Sequence, residues 1–384
     1  MLVFQKTINF CEEEIILMQT IEKRLNEIID KISYLETRRI KIGNFLKEIN
    51  DSFKIGPNEE IWEEKIINRV PVHKFKRVNV LGIDGGIVKH SLHGLDLMLM
   101  RTIGVNFEYS NGKLMKSEYY PSPNPIPNPR IIFDSFSDLE LNSCYNFERQ
   151  IMEISTTIEC IQKFKPDITL LDGSVIPHYV VKPDNPVLDK YYQTLIDAYK
   201  RMFEVAEKSG TILAGVIEDS RGVKFCDILL RRIVSRVKSD FKNELKLVLG
   251  KTKDSNLLYY VLKKRERTCV FNYSQRPDIH PILKEFEKIR NSLWSFYVKT
   301  VDFDRPLRVD FICFEDVVET ANKISSLLIQ TSGHSGYGLP AVLIEADQRA
   351  RLSEKDLNMF YSDLLNRIGN VSTLFKMRRE MRPF

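Results

Sequence analysis

The sequence predicts an α/β fold in which helices flank a mixed sheet. Two apolar runs, residues 78–83 and 168–171, each end in Asp-Gly, and runs of this length are typical of buried strands. Three strand-like segments joined by short turns come first, and helices alternate with strands after them. We expect an N-terminal helical segment over residues 1–70 and a main domain over 71–384, with a basic helical insertion at about 221–300.

The N-terminal segment has the pattern of a long helix. Apolar residues recur at spacings of three and four between Ile15 and Leu35, with charged residues between them. No glycine or proline interrupts residues 12–42. The apolar stripe needs a cover, and the protein's own body, a second subunit or another protein could provide it.

The strand that contains Asp84 is predicted to begin an antiparallel meander. A second apolar stretch covers residues 94–107, and Asn111-Gly112 then predicts a tight turn into a third strand over 113–120. Five prolines alternate between positions 121 and 129, which predicts an extended loop because proline disrupts helices and central strands.

Helices and strands alternate after this loop. Residues 137–163 have helical periodicity, the strand of Asp172 follows, and a helix over 187–208 leads to a strand over 211–217. This order predicts parallel strands joined by crossover helices. It is the order of the ribonuclease H-like fold, in which the first and fourth strands are neighbours. Asp84 and Asp172 would end these two strands, so we expect their carboxylates to face one another.

The C-terminal part continues the alternation. We predict a strand over residues 307–313, a helix over 317–330, and a strand over 341–346 that leads into Asp347. A final helix is predicted to begin at Ser353, which is a favourable N-cap residue.

The composition excludes several classes of protein. No apolar stretch approaches the ~20 residues that span a bilayer, and the first residues lack the basic-then-apolar order of a signal peptide. We therefore expect a cytoplasmic location. Six scattered cysteines without a Cys-x-x-Cys pair argue against disulfides and structural zinc, so any bound metal should be one that prefers oxygen ligands.

Basic residues suggest contact with a polyanion. The formal net charge is +5, and basic residues cluster within residues 231–253, 263–267 and 376–382. These clusters could also be solvated helix faces. The candidates for phosphate contact are Arg221, Lys224, Arg231 and Arg232.

Two facing carboxylates repel one another unless a cation lies between them. Phosphodiester hydrolysis by two metal ions requires such a group of acids. A third carboxylate should come from the helix before Asp172, where Glu148 and Glu153 lie on opposite flanks of the apolar stripe. We favour Glu153 because its flank carries uncharged residues. The fourth ligand could be Asp219, Glu218 or Asp347.

Four motifs together resemble the NurA nucleases, a family of archaeal and bacterial enzymes that process DNA ends. They occur in the family's order and span roughly residues 75–370. They are Ile83-Asp84-Gly85-Gly86, Leu170-Leu171-Asp172-Gly173-Ser174, Ile217-Glu218-Asp219-Ser220-Arg221, and Tyr337-Gly338-Leu339-Pro340 leading to Ile344-Glu345-Ala346-Asp347.

The resemblance implies a ribonuclease H-like core and a manganese-dependent nuclease that acts on single-stranded and duplex DNA. It also implies a homodimer and partnership with a HerA-type hexameric helicase in break repair. Carried over by position, Asp84 and Asp172 would be metal ligands and Glu153 the helix carboxylate. Asp347 falls where a late polar active-site residue, often histidine, is expected, and Gly86 stands where the family more often has serine.

Two other interpretations remain open. The chain could be a non-catalytic subunit that binds DNA or docks a helicase, although a scaffold has no physical need for two facing acids. It could also be a ribonuclease H-like nuclease that cuts RNA or DNA junctions. The cofactor expected from the resemblance is Mn²⁺, with Mg²⁺ as the alternative.

Overall fold

The structure is a computed structural model that describes residues 2–52, 54, 56, 60–177, 182–234, 237, 239–369 and 371–378. Its helices, in chain order, are α1 (Leu2–Ile49), α2 (Asp138–Phe164), α3 (Pro186–Ser209), α4 (Lys224–Ile233), α5 (Ser239–Leu249), α6 (Asp254–Val261), α7 (Val317–Thr331), α8 (Ala341–Ala350) and α9 (Glu354–Ile368). Its strands are β1 (Ile67–Arg69), β2 (Arg77–Ser91), β3 (Asp96–Ser110), β4 (Lys113–Tyr120), β5 (Asn128–Ile132), β6 (Ile168–Asp172), β7 (Ile212–Ile217), β8 (Glu266–Thr268), β9 (Phe271–Asn272), β10 (Leu293–Val298) and β11 (Leu307–Ile312).

These elements form two compact units. Unit 1 consists of Met1–Ile55 and Arg221–Val261, and unit 2 consists of Gly56–Ser220 and Leu262–Phe384. The segments that the structure describes include no helix that is long and apolar enough to cross a membrane.

Unit 1 is helical. The C-terminal part of α1 packs on the other helices of the unit, with Ile42 and Leu46 fully buried. The Asp254 carboxylate accepts hydrogen bonds from the backbone N–H groups of Phe225 (2.9 Å) and Cys226 (2.8 Å), which satisfies two donors at the start of α4. The apolar stripe nearer the N-terminus of α1 is exposed. Its members are Met18, Ile21, Leu25, Ile28, Ile29 and Ile32.

Unit 2 is built on one mixed sheet. The strand order is β1-β8-β10-β11-β7-β6-β2-β3-β4, with β5 added to β3 and β9 to β10. The predicted meander is present, because β2, β3 and β4 pair antiparallel. The predicted neighbours are also present, because β2 pairs in parallel with β6, and β6 with β7. The fold prediction of a mixed sheet flanked by helices is therefore confirmed.

Helices cover both faces of this sheet. Since side chains alternate along a strand, Val80 faces the cluster that contains α7 and α8, while Leu81 faces the cluster that contains α2 and α3. Two glycines of β2 let α8 lie directly on the strand. A Cβ atom at Gly82 would lie 3.0 Å from the Val342 carbonyl carbon, and one at Gly86 would lie 3.0 Å from that of Ala350. A side chain at Gly86 would therefore clash with the backbone of Ala350 unless one of them moved.

Three predictions of secondary structure are wrong. Asp84 does not end its strand, because pairing of β2 with β3 continues through Gly85 and Gly86 to Ser91. The helical prediction for 221–300 fails after α6, where the aromatic and β-branched side chains of β10 pair with β11.

The third error concerns residues 341–346, which form the start of helix α8 instead of a strand. The Pro340 carbonyl accepts hydrogen bonds from the N–H groups of Leu343 (3.0 Å) and Ile344 (3.2 Å), and so begins the helix. Buried apolar residues then follow at helical spacing, with Ala346 and Ala350 toward the sheet. Asp347 consequently lies on a helix.

Candidate active site

Asp84 and Asp172 lie side by side on the sheet. The parallel pairing of β2 with β6 ends at Ile83 and Leu171, so the next residue on each strand is an aspartate. The two carboxyl groups are within hydrogen-bonding reach of one another. The backbone N–H of Gly85 also donates to Asp84 Oδ1 at 2.7 Å. By strand alternation both aspartates belong to the face that α8 covers.

Glu153 reaches this pair from the opposite face. It lies on α2, and its carboxylate passes the side of β2 where Gly85 has no side chain. A Cβ atom at Gly85 would lie 2.9 Å from Glu153 Cδ. Glu148 has a different environment: desolvation raises its pKa, and the charge of Arg130 opposes this rise. The structure thus places Glu153, the helix carboxylate that the sequence favoured, beside the two aspartates.

The acids of this cluster disfavour one another's ionisation. Burial raises the pKa of Glu153, and the charges of Asp84 and Asp172 add to this while Arg149 opposes it. Desolvation raises the pKa of Asp172 to about 7, with further increases from Asp84, Glu218 and Asp347. Asp172 is still exposed to solvent at the end of β6, so solvent screens part of these effects on its pKa. Desolvation likewise raises the pKa of Asp84.

Of the three candidates for the fourth metal ligand, two lie in the carboxylate cluster and one lies outside it. Glu218 and Asp347 both act on Asp172, so both carboxylates belong to the cluster. The Tyr337 hydroxyl donates to Glu218 at 3.1 Å. Asp219 is instead exposed and pairs with Arg305 at 2.6 Å. Sequence reasoning considered Glu218 but assigned no role to Tyr337.

Arg149 is the cationic side chain that sequence reasoning missed. It lies one helical turn before Glu153 and forms an ion pair with it. Its charge also lowers the pKa of Asp84 and of Asp172. The available signal was the spacing of four residues between an arginine and the favoured glutamate, which brings the two onto one side of a helix.

A buried network holds the loop after Asp172. The Ser174 hydroxyl donates to Asp310 Oδ2 at 3.1 Å, and the fully buried Asp310 also accepts from Ser295 and Arg308. Gly173 has a φ of 108°, which few residues with a side chain adopt. Close packing against Gly215 fixes the loop from the other side, and a Cβ atom there would lie 2.8 Å from the Val175 nitrogen.

The donor chemistry of the cluster fits a hard divalent cation. Its five carboxylates come from β2, α2, β6, the end of β7 and α8, and carboxylate oxygens suit Mn²⁺ and Mg²⁺. A cation among them would offset the repulsion that raises their pKa values. In the described part of the chain no three acidic, histidine or cysteine side chains already surround one point as metal ligands do.

The basic candidates lie in unit 1. Arg221 precedes α4, and Lys224, Arg231 and Arg232 lie on it. Arg221 and Arg231 are exposed, and the other two are half-buried. Their contact with nucleic acid remains a prediction.

Comparison with known proteins finds a match between this chain and one family model. The family model described as NurA domain matches residues 78–352. Similar solved structures are the NurA nuclease from Sulfolobus solfataricus (18% identity, 88% of this chain and 97% of that chain, TM-score 0.54), a NurA structure (14%, 91% and 98%, 0.49) and a NurA structure with manganese (11%, 89% and 98%, 0.46). The likeness to the first of these structures supports the fold. A sequence search of curated proteins gave no match.

Proposed function

Because this chain belongs to the NurA family, we propose that it is a divalent-metal-dependent nuclease that hydrolyses phosphodiester bonds at single-stranded and double-stranded DNA ends. The observation that supports this most strongly is the meeting of Asp84, Glu153 and Asp172, which come from three separate elements. We propose Mn²⁺ as the cofactor, with Mg²⁺ as the alternative, because both ions prefer carboxylate oxygens.

Asp84, Glu153 and Asp172 would hold the cations, and Asp347 would complete the site from α8. When bound, the cations would activate water and stabilise the leaving oxygen. We infer that the chain's own residues prepare the site. Gly85 leaves room for Glu153, buried Tyr199 excludes water behind Glu153, and Tyr337 orients Glu218.

We propose that Arg221, Lys224, Arg231 and Arg232 bind DNA phosphates. Exposed positive charge on and before α4 supports this assignment. Removing one phosphate-binding side chain should flatten the dependence of log Kd on log salt by about one. A variant with Arg231 and Arg232 replaced by glutamine that keeps the wild-type slope would remove these two residues from the interface.

Metal dependence tests the function directly. We expect end-labelled single-stranded and blunt duplex DNA to be cut with Mn²⁺ at least as well as with Mg²⁺, and not to be cut in EDTA, because the acids alone cannot stabilise the leaving oxygen. RNA and a four-way junction serve as competing substrates. Preferred cutting of either would favour the alternative ribonuclease H-like function. Tight, salt-sensitive DNA binding without cutting under any condition would favour a scaffold subunit.

We also propose that the exposed stripe of α1 mediates homodimerisation or docking of a HerA-type helicase. Its apolar residues repeat at spacings of three and four, as in a helix-helix seam, and Leu25 is 52% exposed. Leu25→Glu should weaken the association about tenfold or more, because burying a leucine contributes about 1.5–3 kcal/mol. Sedimentation velocity, of the protein alone and mixed with the helicase, measures this.

Asn26→Glu is the matched control, since it adds the same charge to the next, exposed and polar position of α1. It should associate as the wild type does. Equal sedimentation of both variants and the wild type, alone and in the mixture, would refute the assignment of α1.

A further inference from the structure

Arg149 places a positive charge inside the carboxylate cluster of unit 2. Its guanidinium pairs with Glu153, and the two side chains are only 31% and 15% exposed. The charge of Arg149 also acts on Asp84 and Asp172. One arginine on α2 thus interacts with all three proposed metal ligands.

Breaking this pair should cost more than breaking an ordinary ion pair on a helix surface. A solvated pair four residues apart contributes about 0.3–0.5 kcal/mol. Here the partner carboxylate is crowded by two others, so loss of the guanidinium would leave like charges without compensation. Glu153 cannot turn away toward the sheet either, because its carboxylate already rests against Gly85.

A carboxylate that is engaged by a guanidinium has fewer lone pairs to offer a metal ion. The guanidinium and a divalent cation therefore compete for the same oxygens of Glu153.

We propose that Arg149 is a positioning residue that holds Glu153 in an ion pair and lowers the affinity of the site for divalent cations. Glu153 joins the metal only as it leaves Arg149. This inference rests on the proposed function, because it takes Glu153 as a metal ligand.

The test is Mn²⁺ binding by isothermal titration calorimetry on the full-length protein. Arg149→Gln should bind Mn²⁺ about 5- to 150-fold more tightly than the wild type, the range typical of coupling between two binding events. Arg149→Lys, which keeps the charge, should lie between them. In EDTA the glutamine variant should unfold at a lower temperature than the wild type, and added Mn²⁺ should reverse this order.

Two controls make the result specific. Arg367→Gln removes a similar pair with Asp363 on α9, where both side chains are exposed, and should leave Mn²⁺ affinity unchanged. In a Glu153→Gln background, Arg149→Gln should raise the affinity much less than it does in the wild type, because the competition for Glu153 is already gone and only the charge acting on Asp84 and Asp172 remains. An equally large gain in this background would mean that Arg149 acts only as a general positive charge, and would overturn the proposal.

Unchanged or weaker Mn²⁺ binding by Arg149→Gln, with normal binding by the wild type, would overturn this inference and leave the proposed function standing. If neither protein binds Mn²⁺, both fail. Binding by Arg149→Gln alone would support the inference in its strongest form.

Discussion

Replacing Asp172 with asparagine should abolish DNA cleavage and raise the thermal stability of the metal-depleted protein. Cleavage should fall at least about 10³-fold, because a lost metal ligand removes several kcal/mol of transition-state stabilisation and each 1.36 kcal/mol is tenfold in rate. Stability should rise because asparagine has nearly the same shape and ends the repulsion with Asp84, Glu218 and Asp347. Opposite changes in activity and stability are characteristic of a functional site.

The gain in stability should depend on pH in a defined direction. The folded pKa of Asp172, about 7, lies above the ordinary value of 3.8. An acid whose pKa is raised by folding costs stability as it ionises, so the cost is absent below about pH 4 and complete above about pH 7. Because Asp172 is exposed at the end of β6, solvent screens part of this loss of stability. Melting temperatures in EDTA at pH 4 and pH 8 should therefore differ between variant and wild type only at pH 8.

Asp219→Asn is the control for this experiment. Asp219 is exposed and pairs with Arg305 outside the cluster, so the variant should cut DNA and melt nearly as the wild type does. An Asp172→Asn protein that retains substantial cleavage would remove Asp172 from the proposed metal site.

Gly215→Ala should lower both stability and activity, although Gly215 lies on β7 and has no side chain that could take part in the reaction. A Cβ atom there would lie 2.8 Å from the Val175 nitrogen and 2.9 Å from the Ser174 carbonyl carbon. These are backbone atoms, so the loop after Asp172 would have to move. Overpacking of this kind costs about 1–3 kcal/mol. Urea denaturation should measure that loss, and cleavage should fall more than Mn²⁺-independent DNA binding does.

Gly333→Ala is the matched control, because nothing lies within 4 Å of a Cβ atom at that position. It should unfold and cut DNA as the wild type does. If Gly215→Ala were equally neutral, the close packing of the loop against β7 would not hold Asp172 in place.

The sequence was sufficient to predict that the two aspartates lie side by side, because its hydrophobic periodicity and connection lengths indicate the order of the strands. Parallel strands joined by crossover helices place β6 beside β2, and this alone brings Asp84 and Asp172 together. Glu153 followed from its less charged flank of α2. In both cases local pattern and global packing agree.

Other parts of the site depended on contacts that a sequence does not display. The glycines after Asp84 suggested a strand end, but pairing with β3 continues, and Gly85 serves to admit Glu153. The β-branched and apolar residues after Pro340 suggested a strand, but helical spacing of buried positions prevailed. Arg149 could be assigned no role before Glu153 was known to lie inside a crowded group of acids.

The acidic side chains that meet in unit 2 originate far apart along the polypeptide. Asp84 and Asp172 sit on neighbouring strands, while Glu153 and Asp347 arrive on helices from opposite sides of the sheet. A fragment that lacks any one of these pieces would lack one of the proposed metal ligands. A cation that needs all of these ligands would bind only after this unit has folded. Its binding would therefore stabilise the folded unit against unfolding.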